Sequence, residues 1–348
     1  MTGLALLRRL TARQGFWSIA ALVLLLAYNL IANPQFFSVS VQDGHLYGSL
    51  IDILNRASPL MIIAMGLTLV IATRGIDISV GAVVAISGAV AASMIGGQLV
   101  MNGGAGMEEV TRYPMIVVIP CALAVATLCG MWNGTLVSWF GLQPIVATLI
   151  LLSAGRGVAQ LITDGQIITI YYSPYYVIGN GYLLGLPVPL FIVAAVAAVL
   201  MLLTRKTALG LFIEAIGINP TASRLAGIRA LGITCACYAV CGLCAGIAGL
   251  IESSYVKSAD GNNAGLLVEL DAILAVVFGG TSLAGGRFSL RGSILGALII
   301  QTLTNTIYSV GVAPEVTLVV KGLVVLAVSV LQSDRIRSLI GELGRRAQ

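Results

Sequence analysis

The stretch Leu190-Phe-Ile-Val-Ala-Ala-Val-Ala-Ala-Val-Leu-Met-Leu-Leu-Thr204 decides the fold class, because it is uncharged throughout and its apolar residues do not alternate with polar ones. A helix needs about 20 mainly apolar residues to cross a bilayer, and similar uncharged runs recur along the chain. A membrane-spanning β-strand would instead alternate in character over roughly ten residues. The sequence therefore predicts an all-α polytopic membrane protein.

The overall composition agrees with a lipid environment. Hydrophobic residues make up 58% of the 348 positions and charged residues only 9%, whereas soluble domains carry about 25% charged residues. The net charge of +5 does not indicate nucleic acid as a partner, because membrane topology accounts for the basic residues. We expect the lipid bilayer to be the main solvent of the protein surface.

Ten apolar segments are predicted to form membrane-spanning helices in one domain that covers residues 1–348. Their approximate bounds are 16–33, 51–73, 78–97, 114–139, 144–163, 186–204, 231–253, 267–283, 290–310 and 315–332. If the N-terminus is cytoplasmic, 14 of the 19 Lys and Arg residues lie in cytoplasmic segments. The positive-inside rule therefore predicts that both termini are cytoplasmic.

Two places along the chain are predicted to be broken helices. Arg74 and Asp77 lie between the apolar runs of the second and third spans, and the eighth span is short and glycine-rich around residues 279–286. Irregular backbone at membrane depth is stable only where protein or a water-filled cavity contacts it, so both places are candidates for a transport pathway. Helices two to five and seven to ten are further predicted to form an inverted repeat.

The longest predicted cytoplasmic connection, residues 205–229, contains the signals of a complete short helix. Asn219 is a preferred N-cap, and Pro220 suits the first helical position because its missing N–H needs no partner. Gly227 can adopt the left-handed conformation that ends a helix. Such a helix outside the membrane can receive a movement from a separate motor protein, and an ordinary interhelical loop is the alternative interpretation.

Three motifs resemble those of the ribose-type monosaccharide permeases of the ABC transporter superfamily. They are Gly217-Ile-Asn-Pro-Thr-Ala-Ser-Arg-Leu-Ala-Gly-Ile228, Gly66-Leu-Thr-Leu-Val-Ile-Ala-Thr-Arg-Gly-Ile-Asp-Ile-Ser-Val-Gly81 and Glu269-Leu-Asp-Ala-Ile-Leu-Ala-Val-Val-Phe-Gly-Gly-Thr-Ser-Leu-Ala-Gly-Gly-Arg-Phe288. Three shorter stretches are most similar to the galactofuranose branch of that family: Asp52-Ile-Leu-Asn-Arg-Ala-Ser-Pro59, Ala154-Gly-Arg-Gly-Val-Ala-Gln-Leu-Ile-Thr163 and Ala259-Asp-Gly-Asn-Asn-Ala-Gly265.

This resemblance implies the permease subunit of an importer that moves galactofuranose or a ribose-like sugar across the bacterial inner membrane by alternating access. It also implies three protein partners, namely a cytoplasmic ABC ATPase, a second permease of different sequence and a periplasmic sugar-binding protein. No cofactor and no enzymatic activity are expected on this chain. ATP-Mg is expected on the ATPase, since Lys206-Thr207 lacks the glycine frame of a phosphate-binding loop.

Within segment 205–229, seven residues are expected to couple the chain to the ATPase: Glu214, Gly217, Asn219, Pro220, Ala222, Arg224 and Gly227. A secondary sugar transporter driven by an ion gradient is the alternative function, and it would not need this segment.

Seven other residues are candidates for the sugar pathway. Charges at membrane depth are costly and therefore suggest function, which singles out Arg74 and Asp77, although the two can also pair and merely stabilise a helix break. Neutral sugars bind amides and hydroxyls, which adds Asn133, Gln143, Thr148, Gln301 and Asn305. Such side chains also join membrane helices to each other. Arg156 is expected to bind a carboxylate or the carbonyl groups at a helix end instead of a sugar.

Aromatic residues after the fifth span are candidates for docking of the binding protein: Tyr171, Tyr172, Tyr175 and Tyr176. An interfacial aromatic belt would produce the same pattern. The six cysteines all lie in the predicted fourth and seventh spans, where packing between helices explains them better than a metal site, so no metal is expected.

Overall fold

The computed structural model describes residues 16–32, 34–42, 44–96, 98–102, 106–311, 316 and 319–323. Its helices are α1 (Phe16–Ala32), α2 (Ser49–Ala72), α3 (Val80–Ile95), α4 (Met115–Ser138), α5 (Pro144–Ile162), α6 (Ser173–Asn180), α7 (Val188–Lys206), α8 (Leu209–Ile218), α9 (Pro220–Leu225), α10 (Ala230–Val256), α11 (Val268–Phe278) and α12 (Leu290–Ser309), with a 3₁₀ turn at Pro34–Phe37. Short antiparallel pairs join β1 (Ser40–Gln42) to β2 (His45–Tyr47), β3 (Gln98–Asn102) to β4 (Gly106–Val110), β5 (Ile167–Thr169) to β8 (Ser258–Asp260), and β6 (Tyr182–Leu183) to β7 (Leu186–Pro187).

These residues belong to two compact units. The larger unit comprises the described residues within 37–298, and the smaller unit comprises the described residues within 1–36 and 299–348. Within the smaller unit, Asn29 on α1 donates from Nδ2 to Thr306 Oγ1 on α12 at 2.7 Å. Polar bonds of this kind join helices where lipid offers no alternative partner.

The predicted helices from 16–33 to 290–310 are confirmed, with one notable difference in length. The eighth was expected to reach residue 283, but α11 ends at Phe278, so the backbone from Gly279 onward is irregular. Helices α6 and α8 were not predicted. Within the described part of the chain, five helices are long and apolar enough to cross a membrane, namely α2, α4, α5, α7 and α10, and α1, α3 and α8 are shorter apolar helices. The tenth predicted helix, 315–332, lies mostly outside the described residues.

Helix α2 forms the centre of the larger unit. In its apolar stretch 78% of the residues are buried, compared with 50% for α10 and 22% for α4, α5 and α7. Helix α10 packs against α4, α2 and α3. Small residues allow this packing: a Cβ on Gly130 of α4 would lie 2.3 Å from the carbonyl oxygen of Tyr238, and one on Gly242 of α10 would lie 2.5 Å from that of Ala126.

Contacts between loops of the larger unit agree with the prediction that successive loops lie on alternate sides of the membrane. Segments predicted to lie outside contact each other, since the N–H of Leu46 donates to Gly185 O and the N–H of Ile170 donates to Lys257 O. Segments predicted to lie inside also contact each other, since the N–H of Gly286 donates to Ala72 O at 2.9 Å. Which set faces the cytoplasm stays a prediction, as do the count of ten spans, the location of the termini and the inverted repeat.

Candidate functional site

The break between α2 and α3, residues 73–79, is held by a buried polar cluster. Asp77 is 1% exposed, and its Oδ1 accepts from the N–H of Ser79 at 2.9 Å and from Ser79 Oγ at 2.7 Å. Asn133 on α4 donates from Nδ2 to Ser79 Oγ at 2.8 Å. Because unpaired polar groups are costly in an apolar interior, these bonds stabilise a non-helical backbone where the helix is interrupted.

Two more helices contact the same break. Thr148 Oγ1 on α5 accepts from the N–H of Ile78 at 3.3 Å, and the Tyr238 hydroxyl on α10 donates to Ile76 O at 3.5 Å. The structure thus brings Asp77, Asn133 and Thr148 together, and all three are fully buried. In this conformation they contact protein groups that fix the break, so a direct role in binding sugar stays a prediction.

Other pathway candidates lie elsewhere. Gln143 is exposed at the N-cap of α5, and Gln301 and Asn305 lie half-buried on α12 in the smaller unit. The suggested pairing of Arg74 with Asp77 is wrong. Arg74 has a left-handed φ of 65°, and its guanidinium binds backbone carbonyls of α8 instead of the carboxylate three residues away.

Arg74 connects the break to the predicted cytoplasmic segment. Its Nε donates to Gly217 O and its Nη2 to Ile218 O, each at 2.6 Å, and these two carbonyls lie at the C-terminal end of α8. A cation there also interacts favourably with the negative end of the helix dipole. The planar guanidinium can hold both carbonyls at once, so it fixes the orientation of α8 as well as its distance from α2.

The second irregular segment completes this contact. Besides donating to Ala72 O, Gly286 lies so close to α8 that a Cβ on Gly217 would approach its nitrogen to 2.3 Å and Ala72 O to 1.9 Å. A Cβ on Gly285 would lie 2.5 Å from Arg74 Cγ. We call this meeting point of residues 72–74, 217–218 and 285–286 the glycine junction.

Immediately after the glycine junction, α9 has the predicted caps. The Asn219 side chain accepts from the N–H groups of Thr221 and Ala222, both at 3.1 Å, and Pro220 occupies the first helical position. Gly227 has a φ of 83°, and the N–H of Ile228 donates to Ser223 O at 3.0 Å, which closes the helix with a Schellman motif. Helix α9 is therefore a locally determined, rigid element.

Helices α8 and α9 also present a free surface. Ala222 and Arg224 are exposed, and Leu225 is 86% exposed although it is a large apolar residue. On α8, a groove of about 420 Å³ lies between the turn that joins α7 to α8 and the start of α12, with Glu214 and Arg205 of opposite charge in its wall. An exposed large apolar side chain and a groove with charged walls are both typical of surfaces that bind another protein.

The four tyrosines have different environments. Tyr171 is exposed, whereas Tyr172 and Tyr176 are half-buried. Tyr175 is fully buried, and its hydroxyl shares a hydrogen bond of 2.7 Å with Ser253 Oγ on α10. The expectation that Tyr175 contacts a binding protein is therefore wrong for this structure, because α6 turns its side chain into the core.

Arg156 binds a backbone carbonyl, but one in the turn before α11 and not at a helix end: its Nη1 donates to Ala264 O at 2.5 Å. The cysteines of α10, Cys235, Cys237, Cys241 and Cys244, are buried. Among the residues that the structure describes, no group of His, Cys, Asp or Glu side chains is arranged to hold a metal ion. Sequence reasoning missed the glycine junction, although the glycine-rich stretch had already indicated a helix break.

The sequence is similar to a family of transport proteins. A family model described as the permease component of branched-chain amino acid transport systems matches residues 49–329. The galactofuranose transporter permease of Escherichia coli is 50% identical over 96% of this chain and 94% of its own length. The fructose import permease of Bifidobacterium longum is 40% identical (97% and 93% covered), and the ribose import permease of Haemophilus influenzae is 39% identical (89% and 90% covered).

No solved structure matches this chain. The relatives are nevertheless matched along nearly their whole lengths, and the five long apolar helices agree with their description as permeases. The chain therefore belongs to this family of transport-system permease components, and it is a multi-pass membrane protein.

Proposed function

We propose that the chain is the permease subunit of an ABC importer for a monosaccharide, galactofuranose or a ribose-like sugar, in the bacterial inner membrane. The family description names branched-chain amino acids, but the relatives that match most of this chain are named for galactofuranose, fructose and ribose. The substrate is inferred from those names. ATP hydrolysis is assigned to a separate ATPase chain.

The glycine junction is the observation that carries the proposed coupling mechanism. Helix α9 follows α8 directly, and the last carbonyls of α8 are bound by Arg74, which lies in the break between α2 and α3. Gly286, in the break between α11 and α12, binds the end of α2. A displacement of α8 and α9 by a motor would consequently reach both broken helices, which are the elements best suited to change conformation.

The surface of α8 and α9 is proposed as the ATPase contact. The exposed side chains of Ala222, Arg224 and Leu225 would meet the motor, and the groove beside Glu214 can accommodate a projecting segment of it. Gly217, Asn219, Pro220 and Gly227 act indirectly, because they set the shape and position of α9. The second permease and the periplasmic binding protein are proposed from the same family relationship, with Tyr171 as the most exposed of the docking tyrosines.

The test is ATP hydrolysis and sugar uptake in proteoliposomes that contain this chain, its ATPase, a partner permease and a binding protein. We expect sugar-loaded binding protein to stimulate hydrolysis, and we expect Arg224→Glu combined with Ala222→Arg to abolish both the stimulation and co-purification of the ATPase. Arg112→Glu is the matched control, because Arg112 is an exposed arginine in a loop predicted to face the other side.

Unchanged hydrolysis and unchanged ATPase binding in the double variant would contradict the coupling proposal. Uptake that follows an ion gradient without ATP would support the alternative of a secondary transporter. Stimulation by a branched-chain amino acid, and not by galactose or ribose, would contradict the sugar assignment while leaving the coupling mechanism intact.

A further inference from the structure

A cavity of about 250 Å³ opens at the end of α2 that is predicted to face outward. It lies between the first turn of α2, the β2 strand, the segment after α6 and the C-terminal end of α10. Aromatic rings and amide or carboxylate groups dominate its wall: Tyr47, Asp52, Asn55, Asn180, Tyr182 and Tyr255. None of these residues takes part in the coupling mechanism proposed above.

The polar side of the cavity is held in place. Arg56 Nε donates to both oxygens of Asp52, at 3.0 and 2.9 Å, and its guanidinium lies 5.5 Å from the centre of the Tyr255 ring. Asn180 Nδ2 donates to the carbonyls of Ser254 and Tyr255, at 2.9 and 3.1 Å. These contacts fix a carboxylate and an aromatic ring at the cavity wall before any ligand arrives, which lowers the entropy lost on binding.

One polar atom in this wall has no partner. The Oδ1 of Asn55 is buried and accepts no hydrogen bond from the residues that the structure describes. A buried acceptor that is left unpaired is costly, so such atoms often mark a place where water or a ligand supplies the donor. A sugar hydroxyl is a donor of this kind.

The aromatic side of the cavity is also preformed. The Tyr182 ring is stacked on His45 with centroids 4.5 Å apart, and Tyr47 is tilted against it at 5.5 Å. The N–H of Leu46 donates to Gly185 O, which attaches β2 to the β6–β7 hairpin. Rigid rings offer a flat apolar surface together with a polar tip.

We propose that this cavity is the site where a neutral monosaccharide first binds the permease after its release from the binding protein. The inference rests on the proposed function and assigns its external substrate site to Asp52, Asn55, Tyr182 and Tyr255. A carboxylate and amides can bind several sugar hydroxyls, and a ring can cover an apolar sugar face. Arg56, a cation beside the cavity, is occupied by Asp52, which disfavours an anionic substrate or the carboxylate of an amino acid.

The stretch Asp52-Ile-Leu-Asn-Arg-Ala-Ser-Pro59 explains why these groups converge. Asp52 and Asn55 are three residues apart and Asp52 and Arg56 four apart, so all three lie on one face of α2. The aromatic groups come from β2, β6 and α10, which are distant in sequence. The cavity therefore exists only where the outer ends of several elements meet.

A cysteine protection experiment tests the site without ATP hydrolysis. In Ile51→Cys, a thiol replaces an apolar side chain of the cavity wall that takes no part in the proposed recognition. We expect a membrane-impermeant thiol reagent to label this variant from outside, and we expect D-galactose or D-ribose, added alone at high concentration, to slow labelling severalfold. Leucine at the same concentration should have no effect, and Asn55→Leu in the same chain should remove the protection by sugar.

Val41→Cys is the control, because Val41 is 68% exposed in the neighbouring strand and does not line the cavity. Equal protection of both cysteines, or no protection of Ile51→Cys, would overturn the proposal. Failure of the outside reagent to reach Ile51→Cys would overturn it as well. Protection by leucine alone would show that the cavity binds an amino acid, which contradicts the assigned ligand class.

Transport measurements give a second, independent result. In the proteoliposome system, Asn55→Leu and Tyr182→Ala should lower sugar uptake per ATP hydrolysed about fivefold to tenfold, because each removes one preformed contact. Tyr182→Phe should keep most of the uptake, and Tyr113→Ala, a change of an exposed tyrosine outside the cavity, should keep all of it. If Asn55→Leu and Tyr182→Ala take up as much sugar per ATP hydrolysed as the wild type, the assignment of the cavity as a substrate site is wrong. Absence of sugar-stimulated hydrolysis in the wild type would instead contradict the proposed function, whereas the protection experiment would still report on the cavity.

Discussion

Arg74 is the residue whose replacement should separate ATP hydrolysis from transport. Its guanidinium donates to Gly217 O and Ile218 O, both at 2.6 Å, and thereby connects α8 to the break between α2 and α3. A hydrogen bond that involves a charged group contributes about 1.5–3 kcal/mol, and the Ile218 bond is exposed to solvent and therefore weaker. Arg74→Ala should consequently weaken the glycine junction by about 2–4 kcal/mol.

The backbone at this position supplies a control for simple loss of stability. Arg74 has a φ of 65°, a left-handed conformation that costs a residue with a Cβ about 1–2 kcal/mol and costs glycine much less. Arg74→Gly should therefore retain about 1 kcal/mol more folding stability than Arg74→Ala, although both variants lose the guanidinium. Thermal unfolding in detergent measures this difference.

Both variants should show the same defect in coupling. Since about 1.4 kcal/mol corresponds to a factor of ten, weakening the junction by 2–4 kcal/mol should reduce sugar uptake per ATP hydrolysed by at least tenfold. The ATPase should still bind and hydrolyse ATP, because α9 and its exposed face are unchanged. Arg74→Lys should be intermediate, because a single ammonium group cannot hold both carbonyls with the same geometry.

Parallel measurements of sugar uptake and ATP hydrolysis in proteoliposomes test this predicted coupling defect. If Arg74→Ala and Arg74→Gly take up as much sugar per ATP hydrolysed as the wild type, this prediction is wrong. The glycine junction would then have no role in coupling ATP hydrolysis to transport. A loss of uptake in Arg74→Ala that Arg74→Gly restores would also refute the prediction, since the defect would then follow backbone stability and not the guanidinium.

Three further predictions concern neighbouring elements. Asn219→Ala should weaken α9 by about 1 kcal/mol through loss of the N-cap and should reduce ATPase co-purification, whereas Asn219→Ser, which retains a cap, should not. Gly217→Ala should abolish coupling, because its Cβ would lie 1.9 Å from Ala72 O. Gly232→Ala on α10 is the control, because no atom lies within 4 Å of the new Cβ, and it should leave sugar uptake and thermal stability nearly unchanged. Tyr175→Phe should lower the unfolding temperature, because it removes the hydrogen bond to Ser253 Oγ. In a pull-down titration, its affinity for the binding protein should equal that of the wild type. Weaker binding would show that Tyr175 does belong to the docking surface.

Local sequence signals predicted much of the architecture. Apolar runs specify helices in a bilayer because every backbone polar group must then be bonded within its own segment, so the bounds of α2, α4, α5 and α10 follow from the sequence within a few residues. The caps of α9 were also predictable, since Asn219, Pro220 and Gly227 act on neighbouring backbone groups. The Gly279–Gly286 stretch predicted a break because glycine disfavours a helix.

The partners of the polar side chains could not be predicted in this way. A pair between Arg74 and Asp77, three residues away, was one of two predicted alternatives, but the Arg74 side chain binds α8, more than 140 positions later in the chain. Tyr175 was expected at the surface, but α6 packs it against Ser253. Asn133 and Thr148 were predicted only as polar residues within helices, and they meet Asp77 and its neighbours because α4 and α5 both pack against α3.

Signals in the sequence therefore suffice to predict the membrane fold class, the positions of the main helices, the short capped helix and the family. Tertiary packing alone brings residues 72–74, 217–218 and 285–286 together in the glycine junction, and it places aromatic and polar groups from five elements around a cavity at the opposite end of α2. These two sets of features differ in the range of the interactions that produce them. Helix formation and capping depend on hydrogen bonds between residues a few positions apart, whereas the partner of a buried polar side chain depends on which distant helices pack beside it.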